Sequence, residues 1–385
     1  MCKAPVGLPL PSREGVLVVS FAGLIVLFVV TGFVAQFFHR REEALAENWF
    51  HRGEESLARG DSGSAIDDLR SAMSYAHDNP LYRLRLAQAL IAAHRPDEAR
   101  AHLVTLWERQ PGDGVVNLEL ARLAAARGSV QEAARYYHNS IFAVWDRDPT
   151  LQRRQARFEF CEFLLSHRLL AEAQAALIEM AADLPNDPDL HERVGALMLR
   201  AQDPSRALQQ FEEALRIDGR SPAGLSGAGE AAFRAGRYPA ARLYLERAAR
   251  LGPLDEKNTE RLQVSRLILS LDPFQNKLPA RERAARTIRV FQQALDRLKE
   301  CAAQRGENLE TQEPETRLQR EYARAMEFVP SVNSRELTRN PDTQANVAEL
   351  ALEIERLASE TCGAGKDIDR ALVLLARQRE GGNHD

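Results

Sequence analysis

The residue types able to do chemistry in this chain are few, and the four cysteines are the most informative of them. Cys301 and Cys362 each fall at the end of an expected helix in the C-terminal region. A bridge between them would close a loop of about 60 residues and contribute on the order of 4 kcal/mol, and it would need an oxidising compartment. Spacing alone does not show that their Cα atoms approach, so bridged and free states both stand. Cys161 occupies a small-residue position between helices and reads as an inert core thiol. Cys2 directly follows Met1, with no lipoprotein signal before it, and is not a lipid-attachment site. There is no C-x-x-C pair, H-E-x-x-H, P-loop or G-x-S-x-G. His191-Glu192 lacks a second histidine at metal-ligand spacing, and no strand precedes the glycines at 224, 227 and 229. No catalytic residue, metal ligand, cofactor or small-molecule substrate is expected; an enzyme with its site in residues 280–385 is the minor rival.

The elements that carry these residues are helical. Ala, Leu, Arg and Glu, all strong helix formers, dominate the 385 residues, and no convincing runs of alternating β-branched residues occur. Charged residues make up 28%, the net charge is −4, and no block of five like charges appears, which argues against a nucleic-acid partner.

Gly15 to Phe38 contains no charged residue. At 1.5 Å per residue it spans about 36 Å, enough to cross a ~30 Å hydrocarbon core. The competing reading is a cleaved signal peptide, whose apolar run is normally about 7–15 residues. Here the run is longer, and Phe33 and Phe37 crowd a cleavage point at Ala35, so an uncleaved anchor that meets the lipid bilayer through residues 15–38 is expected. Lys3 and Arg13 precede it and Arg40, Arg41 and Arg52 follow it, which by basic count puts the downstream side in the cytoplasm. The asymmetry is slight, so both orientations stay open.

A period then emerges. Ala65, Ala99, Ala133, Ala173, Ala207 and Ala241 are spaced by 34, 34, 40, 34 and 34 residues. Four residues after each stands a large residue (Leu69, Leu103, Tyr137, Leu177, Phe211, Leu245), and twelve before each a small one (Gly53, Ala87, Ala121, Cys161, Gly195, Gly229). Two antiparallel helices need small residues to approach and a large one to fill the gap, and one such hairpin cannot bury its apolar face without neighbours. Gly60, Gly128 and Gly236 fall between paired helices, where glycine ends a helix in the left-handed conformation. The third copy carries six extra residues. Its second helix is expected to continue through AARYYHNSIFAVW, with Tyr136, Tyr137, Phe142 and Trp145 forming either an aromatic partner-binding bulge or a longer helix packed on its neighbour.

Over roughly residues 46–255 this pattern resembles the tetratricopeptide repeat. Trp49, Gly53, Ala65, Leu69 and Ala72 stand in the family's positions in the first copy, and Gly229, Tyr238, Ala241, Leu245, Ala248 and Pro253 in the last. The later copies depart at the first aromatic position, with Arg83, Asn117, Arg157, His191 and Leu225. The resemblance implies an all-α fold: a right-handed α-solenoid of six repeats over 39–255, after a tail (1–14) and a transmembrane helix (15–38), before a helical cap and C-terminal region (256–385). It also implies that the first helix of each pair lines a groove that binds protein partners. Mapping that face gives Phe50, Glu54, Leu84, Gln88, Arg122, Phe158, Glu162, Glu192, Glu230, Phe233 and Arg234 as candidate partner-binding residues, with Leu57, Ile91, Leu118, Leu165 and Leu199 between them. The first half of this face reads as apolar with scattered acids, suited to an amphipathic helix or extended segment. Phe50 and Glu54 stand where the subclass that clamps chaperone carboxylates needs Lys and Asn. The rubredoxin-like domain that ends one type of anchored repeat protein is missing.

Beyond Asp255 helices are expected at 256–271, 280–304, 315–328, 341–362 and 367–379, with a loop over 332–340 and a frayed GGNHD tail. Asn340-Pro341 is an N-cap followed by Pro at the first helical position. The functional expectation is a single-pass bacterial inner-membrane scaffold with an assembly or chaperone-like role. The cysteine pair favours a periplasmic domain; Arg40 and Arg41 favour a cytoplasm-facing adaptor of envelope biogenesis.

Overall fold

The computed structural model describes residues 13–382; the first twelve residues of the expected N-terminal tail, with Cys2 and Lys3, and the last three residues of the expected frayed tail lie outside them. Among the described residues there are eighteen α-helices, one 3-10 turn and no strand. The helices are α1 (Arg13–Ala58), α2 (Ser62–Tyr75), α3 (Pro80–Ala92), α4 (Pro96–Arg109), α5 (Gly114–Ala126), α6 (Val130–Phe142), α7 (Pro149–Ser166), α8 (Leu170–Ala182) and α9 (Pro188–Arg200). They continue as α10 (Pro204–Ile217), α11 (Pro222–Arg234), α12 (Tyr238–Leu251), α13 (Glu256–Leu271), α14 (Ala280–Arg305), α15 (Arg317–Phe328), α16 (Ser334–Arg339), α17 (Pro341–Cys362) and α18 (Asp367–Gly382). The chain divides into two compact units, one through Phe163 and one from Leu164.

In the first unit the end of α1 pairs with α2, α3 with α4, and α5 with α6. In the second, α9 pairs with α10 and α11 with α12. The spacing of small and large residues explains the closeness of each pair. A Cβ on Gly53 would meet Leu69 Cγ at 2.7 Å, and one on Gly229 would meet the Leu245 side chain at 2.5 Å. The six periodic alanines, from Ala65 to Ala241, are all fully buried.

The turns inside the pairs share one geometry. Gly60, His94, Gly128, Arg168, Gln202 and Gly236 have φ of 78, 56, 74, 58, 61 and 71°, in the left-handed region. One residue further on, the backbone N–H reaches back five positions, as from Asp61 to Ser56 O, Arg95 to Leu90 O and Ser129 to Ala124 O. The same bond recurs from Leu169 to Leu164 O, Asp203 to Met198 O and Arg237 to Ala232 O. This is the Schellman helix ending six times over, and only three of the six sites hold the glycine that adopts it without strain.

Two expectations need correction. Helix α6 does not continue through Trp145; it stops at Phe142, and the extra residues fold back onto the start of α5. Val144 N–H donates to Gly112 O and accepts at its own carbonyl from Gly114 N–H, both at 2.9 Å. Trp145, 6% exposed, lies on Gly114 and donates from Nε1 to Ser140 O at 3.0 Å. The absent Cβ of Gly114 makes that seat, because a Cβ there would overlap the indole. The stretch at 332–340 is not all loop: Asn333 caps the short helix α16, whose Leu337 is buried. The apolar segment ends at Phe38, but the helix that carries it goes on. It runs unbroken into the first repeat, so α1 has 46 residues, about 69 Å at 1.5 Å rise.

In the second unit, α13, α14 and α15–α18 share a core that includes Phe291, Leu298, Val347, Leu350, Ile354 and Leu372. Helix α14 packs along α17, and α18 returns to lie on α13. Asn340 accepts from Thr343 N–H with Pro341 at the first position of α17.

Two outcomes follow for stability. Replacing His94 or Gln202 by glycine relieves a left-handed L-residue and is expected to raise unfolding free energy by about 0.5–1 kcal/mol each, measured by denaturant titration. Gly114→Ala forces Trp145 from its seat and should cost about 1–3 kcal/mol, with a change in tryptophan emission.

Candidate functional site on the first-helix faces

The first helices of the repeats present the candidate binding residues, and in the first unit most of their polar groups already hold one another. Arg85 on α3 pairs with Glu54 on α1 at 3.1 Å and donates to Gln88 Oε1 at 2.8 Å. Gln88 donates to Glu119 on α5 at 3.2 Å, and Glu119 pairs with Arg122 at 3.3 Å. Arg122 then grips Glu159 on α7 with two bonds, Nε at 2.9 Å and Nη2 at 2.7 Å. A charge-alternating ladder thus crosses four consecutive first helices. The two-pronged guanidinium–carboxylate contact is its strongest rung. It holds the Arg122 guanidinium well above its ordinary value, led by the hydrogen bond to Glu159. Burial pushes the Glu159 carboxyl up, but the Arg122 bond and charge outweigh it and leave it below the usual carboxylate range.

The sequence-derived list divides on this face. Glu54, Gln88 and Arg122 are members of the ladder, while Arg85, Glu119 and Glu159 were missed. They stand three residues before Gln88, Arg122 and Glu162, so the same repeat period could have found them. The expectation of an open apolar first half is corrected. Phe50, 9% exposed, stacks on Tyr82 with ring centroids 4.6 Å apart, and Phe158 is 3% exposed. Phe50 thus fills a gap between α1 and α3, and Phe158 is buried. Leu84 is half-buried and Glu162 is exposed.

In the second unit Glu192 accepts a bond from the Ser221 hydroxyl. Glu230 accepts from Arg234 at 3.0 Å and Arg261 at 2.9 Å, and Arg234 also donates to Leu199 O at 3.1 Å. Phe233 is different. It is half-buried, edge-on to Tyr238, and lines an open groove of about 610 Å³ with Val264 and Leu267 of α13 and Leu374 of α18. Lys257, Glu260 and Arg370 stand on its rim. The groove needs α18 as one wall, a long-range placement that no local pattern announces.

Cys301 and Cys362 are brought together, with Cα atoms 5.7 Å apart and the sulfurs joined. Cys161 is free and buried, and burial pushes its thiol up to about 12.

A family model of the tetratricopeptide repeat matches residues 56–123. That stretch carries tetratricopeptide repeats. The six alanine-marked copies, their common turn and their paired helices extend that pattern well beyond the matched stretch. Among solved structures, the C-terminal part of a tetratricopeptide-repeat protein from Cytophaga hutchinsonii is 12% identical over 84% of this chain and 99% of that one, with a TM-score of 0.42. PilW, a type IV pilus biogenesis factor, is 17% identical over 57% of this chain and 96% of that one, with a TM-score of 0.37. PilF of Pseudomonas aeruginosa is 18% identical over 50% and 81%, with a TM-score of 0.32. With every score below 0.5, these likenesses carry no argument about what this protein binds. No curated protein matches the chain in sequence.

The ladder yields a pH-dependent outcome. Because the folded-state value of Glu159 is lowered, its contribution is present above the unfolded carboxylate value and lost as pH falls through the lowered folded one. Arg122→Ala should therefore cost about 1–2 kcal/mol near pH 7, discounted for partial exposure, and the deficit should shrink below about pH 4 in parallel acid titrations.

Proposed function

We propose that this protein is a single-pass membrane-anchored scaffold of the bacterial inner membrane, whose repeat region takes an apolar segment of a partner protein in an assembly or chaperone-like role. The observation that carries the binding part is the Phe233 groove. It offers an apolar floor of Phe233, Val264, Leu267 and Leu374 beneath charges of both signs. Such a surface suits an amphipathic helix or an extended segment with apolar anchors. In the first unit the ladder satisfies its own charges, so partner recognition through Glu54, Gln88 or Arg122 would require breaking bonds already made.

The anchor rests on α1, the one helix among the described residues long and apolar enough to cross a membrane, with Leu24, Ile25, Phe28 and Phe33 exposed. A signal sequence meets the same criterion. The unbroken run of α1 into the first repeat favours retention, since a cut at Ala35 would fall inside a continuous helix. The pairing of Cys301 with Cys362 supports a periplasmic domain. Arg40 and Arg41 support the second reading, a cytoplasm-facing adaptor.

Crosslinking in cells followed by affinity capture should recover a stoichiometric partner that is lost with Val264→Arg and with Phe233→Arg, while the thermal transition of Val264→Arg stays close to wild type. Recovery undiminished in both variants would remove the groove from the proposal. Alkylation of intact cells with a membrane-impermeant maleimide, read at Cys301 and Cys362 by peptide mass, should label them only after reduction if the domain is periplasmic. Labelling that needs lysis in denaturant, with no reductant, would favour the cytoplasmic adaptor.

A further inference from the structure

The C-terminal helices line a second cavity of about 270 Å³, which adjoins the Phe233 groove and shares Arg370 and Leu374 of α18 with it. That is roughly nine times the ~30 Å³ share of a liquid water and a little below the usual range of ligand pockets. Its walls come from α14, α17 and α18. Glu355 of α17 lines it while only 1% exposed, and neither of its carboxyl oxygens has a hydrogen-bond partner. A buried polar group left unpaired is costly, and native proteins leave few of them.

The surroundings of Glu355 are otherwise well ordered. Asp369, 2% exposed, accepts from Gln293 Nε2 at 2.8 Å with one oxygen and from Lys366 N–H at 2.7 Å with the other. Arg297, also buried, donates to Gly363 O at 2.7 Å, next to the bridged Cys362. Burial pushes Glu355 up to about 8, the Asp369 charge adds to this, Arg297 opposes it, and Glu300 adds a little more. Near neutral pH the group is therefore mostly a neutral acid. At the mouth stand the exposed Arg370 and Arg377, seven residues apart on α18 and so on one face. No group of His, Cys, Asp and Glu among the described residues is arranged to hold a metal ion.

We propose that this cavity binds a small zwitterion of the amino-acid type, its ammonium lodged against Glu355 and Asp369 and its carboxylate held by Arg370 and Arg377. An ammonium brings three donors to Glu355, whose oxygens lack one, and guanidinium forks match a carboxylate in shape and charge. A simple amine leaves the arginines unused, and a simple carboxylate leaves Glu355 unpaired. Val373 and Leu374 offer an apolar wall for a side chain. The ammonium turns Glu355 into a carboxylate, so binding releases a proton.

The test is isothermal titration of the full chain in detergent with L-alanine and L-leucine, against n-butylamine and butyrate. The expected result is saturable binding of at least one amino acid, with butylamine and butyrate at least tenfold weaker. Glu355→Gln and Arg377→Gln should each weaken binding at least tenfold. Near pH 7 the observed heat should vary with the ionisation enthalpy of the buffer in wild type and not in Glu355→Gln. Should Glu355→Gln fail to fold, Arg377→Gln, at an exposed position, decides alone. The proposal is overturned if no probe saturates up to about 10 mM, if butylamine binds as tightly as the amino acids, or if the Arg377 variant binds as wild type does.

Discussion

A small residue on the first helix of each pair leaves a seat, and a large residue on the second helix fills it. Gly53 with Leu69 and Gly229 with Leu245 show how little room there is, since even one added methyl would overlap the partner. That closeness sets the axis of each hairpin, which in turn exposes an apolar flank that only the next hairpin can cover. The left-handed turn after each first helix follows from the same constraint. A chain that must reverse within a few residues and stay in contact needs a compact helix ending, and three copies adopt it with His, Arg or Gln in place of glycine. Packing therefore overrides local preference at half of the turns.

Once the hairpins of the first unit are stacked, one face of each first helix there comes into register with the next. In the first unit this brings Glu54, Arg85, Glu119, Arg122 and Glu159 into a line of alternating charge. Such a line makes the inter-repeat spacing specific and leaves few polar groups wanting a partner. The second unit presents a different surface. There Phe233 keeps an edge open because α13 and α18 form the sides of a groove and do not fill it.

The C-terminal helices depend on a long-range closure. Helix α18 returns to α13, and the turn before it is held by the Cys301–Cys362 bridge, by Arg297 on Gly363 O and by Asp369 on Lys366 N–H. One set of buried groups thus fixes a wall of the Phe233 groove and a wall of the cavity beneath Glu355.

The sequence by itself determined the helical class, the six-copy period, the helix pairs and most helix ends, because these depend on residue type at fixed local spacing. Small-large alternation, Asn340-Pro341 and the charge-free run at 15–38 act over a turn or two of helix, and their consequences can be read along the chain. Tertiary structure decided the rest. Trp145 folds back on Gly114 instead of prolonging α6, since the seat lies 31 residues earlier in the chain. Phe50 and Phe158 are withdrawn into the packing, because a face assigned by periodicity does not say how closely the next helix approaches. The meeting of Cys301 with Cys362, the return of α18 and the isolation of Glu355 all join residues remote in sequence. Their positions are set by how whole helices stack, and no local pattern encodes that.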